Sequence, residues 1–145
     1  MPDPFDLERF VTAQRPVYAQ VLAELSAGHK RSHWMWYVFP QLRGLGSSAM
    51  ARSFGIATPA EARAYLAHPV LGPRLRECAG ILAGLPGADA REVMGYPDDL
   101  KLRSCLTLFA TAATEVKDQH LFNAVLAKFF AGVADPLTRE LLTSA

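Results

Sequence analysis

Thr58-Pro59-Ala60-Glu61-Ala62-Arg63-Ala64-Tyr65-Leu66-Ala67-His68-Pro69-Val70-Leu71-Gly72-Pro73-Arg74-Leu75-Arg76-Glu77-Cys78-Ala79-Gly80-Ile81-Leu82-Ala83-Gly84 reads as two helices in succession. Thr58 suits an N-cap, Pro59 the first helical position, and Glu61 completes a capping box three residues on. After His68-Pro69, the residues Val70, Leu71, Leu75, Cys78, Ala79 and Leu82 fall on one helical face, which ends near Gly84. Nothing in the stretch alternates with the two-residue period of a strand.

The same three- and four-residue spacing extends in both directions. Asp6 can cap a first helix whose inward face is Phe10, Val11 and Gln14. Pro16 suits the first turn of a second, with Val17, Tyr18, Val21, Leu22 and Leu25 before a stop at Gly28. Ser47 or Ser48 can start a short helix through Met50 and Phe54, ended by Gly55. Downstream, Asp89 caps a short helix closed by Gly95, and Asp98 caps a longer one carrying Leu102, Cys105, Leu106, Phe109 and Ala113. Leu121, Phe122, Val125, Leu126 and Phe129 line another, and Asp135-Pro136 opens the last. The expectation is an all-α fold, a compact multihelical single domain over residues 1–145, built from about eight or nine short helices.

The bulk numbers agree with this class. A chain of 145 residues is long enough for one core, and its 50% hydrophobic and 20% charged content is that of a globular domain. A net charge of +1 gives no field to recruit nucleic acid or an anionic membrane. The longest apolar runs, such as Leu121 to Phe130, are too short to span a bilayer. The start, Met1-Pro2-Asp3-Pro4-Phe5-Asp6, is acidic and proline-containing, the reverse of a secretory signal. Cys78 and Cys105 read as buried hydrophobes in a reducing cytoplasm, not as a disulfide.

One segment stands apart from the rest. Gly28 to Ser48 holds both tryptophans, Trp34 and Trp36, two of the four histidines, and the cations Lys30, Arg31 and Arg43. Gly44-Leu45-Gly46-Ser47-Ser48 then turns into a helix start.

From Lys30-Arg31-Ser32-His33-Trp34-Met35-Trp36-Tyr37-Val38-Phe39-Pro40-Gln41 and the following Gly44-Leu45-Gly46, the chain resembles the small bacterial and fungal proteins grouped as domain of unknown function 1810. The likeness begins at Arg9-Phe10 and Ala13-Gln14. It continues through His68-Pro69-Val70-Leu71-Gly72 and Pro97-Asp98-Asp99-Leu100-Lys101-Leu102 to Asp135 and Thr138. It implies an all-helical fold and transfers no reaction. His33, Trp34, Trp36, Phe39, Pro40, Gln41, Gly44, Gly46, Asp98 and Lys101 fall on positions of the family's pattern.

The residues themselves support two readings of function. In the first, the aromatic segment and the Pro97–Ser104 helix start face each other and bind a small anionic, nucleotide-like ligand. Trp34 or Trp36 would stack on its ring, with Lys30, Arg31 and Lys101 holding anionic oxygens. Gln41, Ser48 and Ser104 would supply hydrogen bonds. In an enzymatic version, His33 or Asp99 would move a proton. Each assignment has a structural alternative. Either tryptophan alone is first a core residue, His33 can fix its loop, Asp98 can be a cap, and Gln41 can tie down its own turn. His29 and His33 have the spacing of a metal pair, but Gly28 opposes a helix there and no third ligand is near, so no metal and no cofactor is expected. In the second reading the segment is a patch of a non-catalytic protein-interaction module. The sequence assigns no oligomeric state.

Overall fold

The longest apolar faces set the centre of the molecule. In the computed structural model, which describes residues 2–144, the helix α8 (Asp98–Ala112) buries residues all round its circumference: Leu102, Ser104, Cys105, Leu106, Thr107, Leu108, Phe109 and Ala112. A helix so covered must be enclosed by others. It packs against α9 (Val116–Phe130) and α5 (Pro59–Ala67), and α6 (Leu71–Gly84) packs in turn on α5 and α9. Phe109 lies between Tyr65 and Phe122, with ring centroids 5.3 and 6.1 Å away, and Phe10 meets Tyr65 edge-on at 5.2 Å. Met1 and Ala145, the ends of the expected 1–145 domain, lie outside the described residues.

Around this centre stand α1 (Glu8–Gln14), α2 (Tyr18–Ser26), α3 (Met35–Val38), α4 (Ala49–Phe54), α7 (Ala90–Met94) and α10 (Pro136–Ser144). The described residues thus form ten helices and no strand, with one isolated parallel bridge between Leu42 and Ile56. The helix beyond the expected eight or nine is α3, a single turn inside the aromatic segment, too short to show a period. Both cysteines are buried and unpaired. No helix among the described residues is long and apolar enough to cross a membrane.

The capping signals locate most starts. Thr58 Oγ1 accepts from Glu61 N at 3.1 Å, and Glu61 Oε1 accepts in turn, although from Ala57 N at 3.0 Å and not from the cap residue. Glu61 also pairs with Arg9 at 2.9 Å. Ser48 caps α4, Asp89 caps α7, and Asp135 Oδ2 accepts from Thr138 N at 3.0 Å to open α10. His68 closes the α5–α6 corner, its Nδ1 accepting from Val70 N and Leu71 N at 3.1 and 3.3 Å. Gly72 sits in that corner so tightly that a Cβ would come 2.1 Å from the Leu66 carbonyl oxygen.

Two expected caps are corrected. Asp3, not Asp6, caps the first helix, accepting from Leu7 N and Glu8 N at 2.8 and 3.0 Å; Asp6 instead takes a left-handed φ of 51° in the turn between. Asp98 is the first helical residue of α8 and makes no cap bond; its carboxylate is drawn away by Lys30.

Candidate functional site

The aromatic segment is held from below by Glu24, which the inward face of α2 brings under it. The Glu24 carboxylate accepts from Arg31 N (2.8 Å), Ser32 N (3.0 Å), Ser32 Oγ (2.6 Å), Trp34 Nε1 (2.9 Å) and Gln20 Nε2 (2.7 Å). Burial acts to raise this carboxyl. The hydrogen bonds from Ser32, Arg31 and Gln20 outweigh it and hold Glu24 well below the usual carboxylate range. Glu24 was not singled out from the sequence. Its signal was present, since it lies three residues after Val21 and beside Leu25 on the buried stripe.

Trp34 is consequently part of the core. It is fully buried, its indole N–H is spent on Glu24, and its ring meets Phe39 at 6.1 Å. Lys30 is buried with it. Its side chain is 5% exposed, 2.7 Å from Asp98 Oδ2, 2.5 Å from the Ser32 carbonyl, and 4.8 Å above the Trp34 ring. This bridge joins the segment to the start of α8. Neither Trp34 nor Lys30 faces a cavity; both hold the loop in shape.

What the bridge brings together is a narrow cleft. Its walls are Met35, Trp36 and Phe39 from the aromatic segment, Gln41 from the next turn, Ala51, Phe54 and Gly55 from α4 and its end, and Lys101 from α8. Trp36 is half-buried. The Lys101 ammonium lies 5.5 Å from its ring centroid and 3.7 Å from Asp98 Oδ1, with the side chain 28% exposed. Gln41 lies beside Gly46, where an added Cβ would fall 3.5 Å from its amide nitrogen and 2.6 Å from Ala51 Cβ. Backbone bonds from Arg43 N to Ile56 O (2.8 Å) and Ile56 N to Gln41 O (3.0 Å) close the loop that carries α4.

Of the residues expected to form a site, then, Trp36, Gln41 and Lys101 come together. The others go elsewhere. His33 and Arg31 are exposed and do not line the cleft. Ser48 is an N-cap. Ser104 faces the start of α10, its hydroxyl donating toward the Leu100 carbonyl and Asp135 Oδ2, each at 3.2 Å. Asp99 also lies outside the cleft lining, and its Oδ1 is buried without a hydrogen-bond partner.

The fold and the cleft define an all-helical domain whose aromatic loop is locked to its central helix by a buried lysine–aspartate pair. The chain belongs to the family described as Protein of unknown function (DUF1810), whose model matches residues 4–142. It is similar to the crystal structure of the conserved hypothetical protein Rv1873 from Mycobacterium tuberculosis. The two are 55% identical over 97% of this chain and 99% of that one, with a TM-score of 0.93. No curated protein matches the chain.

Proposed function

We propose that the cleft between α3, α4 and α8 binds a small anionic ligand carrying a flat, nucleotide-like ring, and that the protein does so in the cytoplasm. The observation that carries this is Lys101. Its ammonium stands over the half-buried Trp36 ring at the rim, partly exposed, and its nearest carboxylate contact is a long one to Asp98. A cation beside an indole face suits a ligand that joins a ring to a phosphate or carboxylate. The Gln41 amide makes no hydrogen bond among the described residues and lines the same cleft, ready for a polar ring edge. The two buried thiols fit a reducing compartment.

The enclosed free volume is about 10 Å³, room for about one water, whereas nucleotide-sized ligands occupy pockets of about 300 Å³ or more. Binding therefore requires α4 to move outward. That helix is suited to it, because it is six residues long with none fully buried, and its hold on the core is the half-buried Phe54 ring against Phe10 and Tyr37. The reading is one of binding; the two candidates for proton transfer, His33 and Asp99, stand outside the cleft.

A thermal-shift screen against nucleotides, ADP-ribose, dinucleotides and sugar phosphates tests it. A ligand at a hundredfold excess over its dissociation constant adds about 2.7 kcal/mol of apparent stability. The expected result is a hit that Lys101→Gln removes. A hit that survives Lys101→Gln overturns the placement.

A second reading, a protein-interaction module, draws on the neighbouring surface. Tyr96 and Leu100 are 65% and 48% exposed at the start of α8, and the Arg91 guanidinium lies 4.9 Å from the Tyr96 ring. Aromatic and arginine side chains of this kind dominate binding hot spots. A screen without hits moves the weight to this face.

A further inference from the structure

On the other side of α8, a groove of about 400 Å³ runs between α5, the end of α8, and α10. Its walls are Pro59 and Arg63 of α5, Thr111 and Ala112 of α8, and Arg139, Leu142 and Thr143 of α10. The Pro59 ring, Ala112 and Leu142 make an apolar floor. No acidic side chain lines it. Neither the Arg63 nor the Arg139 guanidinium makes a hydrogen bond or ion pair among the described residues. Elsewhere in the molecule the arginines that line or cross the packing are spent: Arg9 on Glu61, Arg76 on Asp118, and Arg103 on the carbonyls of Val133 and Ala134.

We propose that this groove is a binding site for a small amphiphilic anion, an acidic head on a short apolar tail. The groove shares no residue with the Trp36 cleft. The volume falls in the range of small-molecule sites, which combine apolar walls with a few placed polar groups. Two planar guanidinium forks at the edge of an apolar floor match a carboxylate or phosphate head by parallel N–H···O bonds. The tail is then covered by Pro59, Ala112 and Leu142. A purely polar anion would leave that floor wet, and a neutral chain would leave the two exposed guanidinium groups to water alone.

Amide NMR on the whole protein tests the site. The probes are octanoate, octyl phosphate, hexanoate, octanol and octylamine, each kept below its aggregation concentration. Expected are saturable shifts with octanoate or octyl phosphate, concentrated at Arg63, Thr111, Ala112, Arg139 and Leu142. Whichever head binds tighter identifies the source as a carboxylate or a phosphate ester. Hexanoate should bind about fifteenfold more weakly than octanoate, following about fourfold for each of two buried methylenes. The double substitution Arg63→Gln, Arg139→Gln should weaken octanoate by at least about tenfold, with the rest of the spectrum unchanged. Octylamine binding as well as octanoate, shifts spread over the whole surface, or affinity unaffected by the double substitution would each overturn the proposal, as would no saturable shift with either anion.

Discussion

What Glu24 holds sets what its replacement costs. Glu24→Ala leaves the buried Trp34 indole N–H and the half-buried backbone N–H groups of Arg31 and Ser32 without their acceptor. Unfolding equilibria should therefore show a loss of about 3 kcal/mol, and a loss under about 1 kcal/mol would mean the loop is held by something else. The same carboxylate makes the protein sensitive to acid. Glu24 and Asp118 both sit below their ordinary values. For Asp118 the leading cause is the paired Arg76 guanidinium. A depressed folded value contributes stability above the unfolded value, and that stability is lost as pH falls. Melting temperature should accordingly be flat above about pH 5 and drop once pH falls below the ordinary values of 4.5 and 3.8; Glu24→Gln should flatten part of the drop. At Gly72 the constraint is steric. A methyl group 2.1 Å from the Leu66 carbonyl oxygen clashes with backbone that cannot swing aside, and 2.8 Å from the Arg76 guanidinium it also presses on that side chain, so Gly72→Ala should cost about 3 kcal/mol in a denaturant titration. Glycine and buried glutamate were both visible as letters, but their reasons lie six to ten residues along the chain, across corners that helical periodicity does not describe.

At the scale of elements, the local signals were the readable ones. The Thr58, Asp89 and Asp135 starts follow from side chains that reach their own next turn, which is chemistry confined to four residues. Asp98 failed that rule because a partner 68 positions away, Lys30, competes for its carboxylate at 2.7 Å. Helix α3 escaped because one turn carries no period. Its four residues are shaped by Glu24 and by burial of Met35 and Val38, both tertiary causes. Helix α4 was legible as an element but not as a loosely held one. With no buried residue, its amides should exchange with deuterium well before those of α8, whose enclosed face can open only with the whole fold. Equal protection of residues 49–54 and 98–112 would count against α4 as the part that moves.

For the molecule as a whole, periodicity and composition were enough to place the fold among all-helical domains, because the longer helices, α6, α8 and α9, carry their own apolar faces. The site was legible only as a region. Lys30, Trp34 and Trp36 were found together by density of charge and aromatic rings, and Lys101 separately at the Pro97–Ser104 helix start, while the division of labour among them came from burial. Trp34 and Lys30 build the loop; Trp36, Gln41 and Lys101 line its open side. The two indole N–H resonances separate these roles, one bonded to Glu24 in the core and one beside the cleft. The measurement that tests the account most directly is an NMR titration of those two signals, assigned through Trp36→Phe, against the nucleotide and sugar-phosphate panel. The account predicts that a binding member of the panel shifts the Trp36 signal saturably and leaves the Trp34 signal in place. Movement of Trp34 alone, or no movement of either signal across the panel, would contradict it.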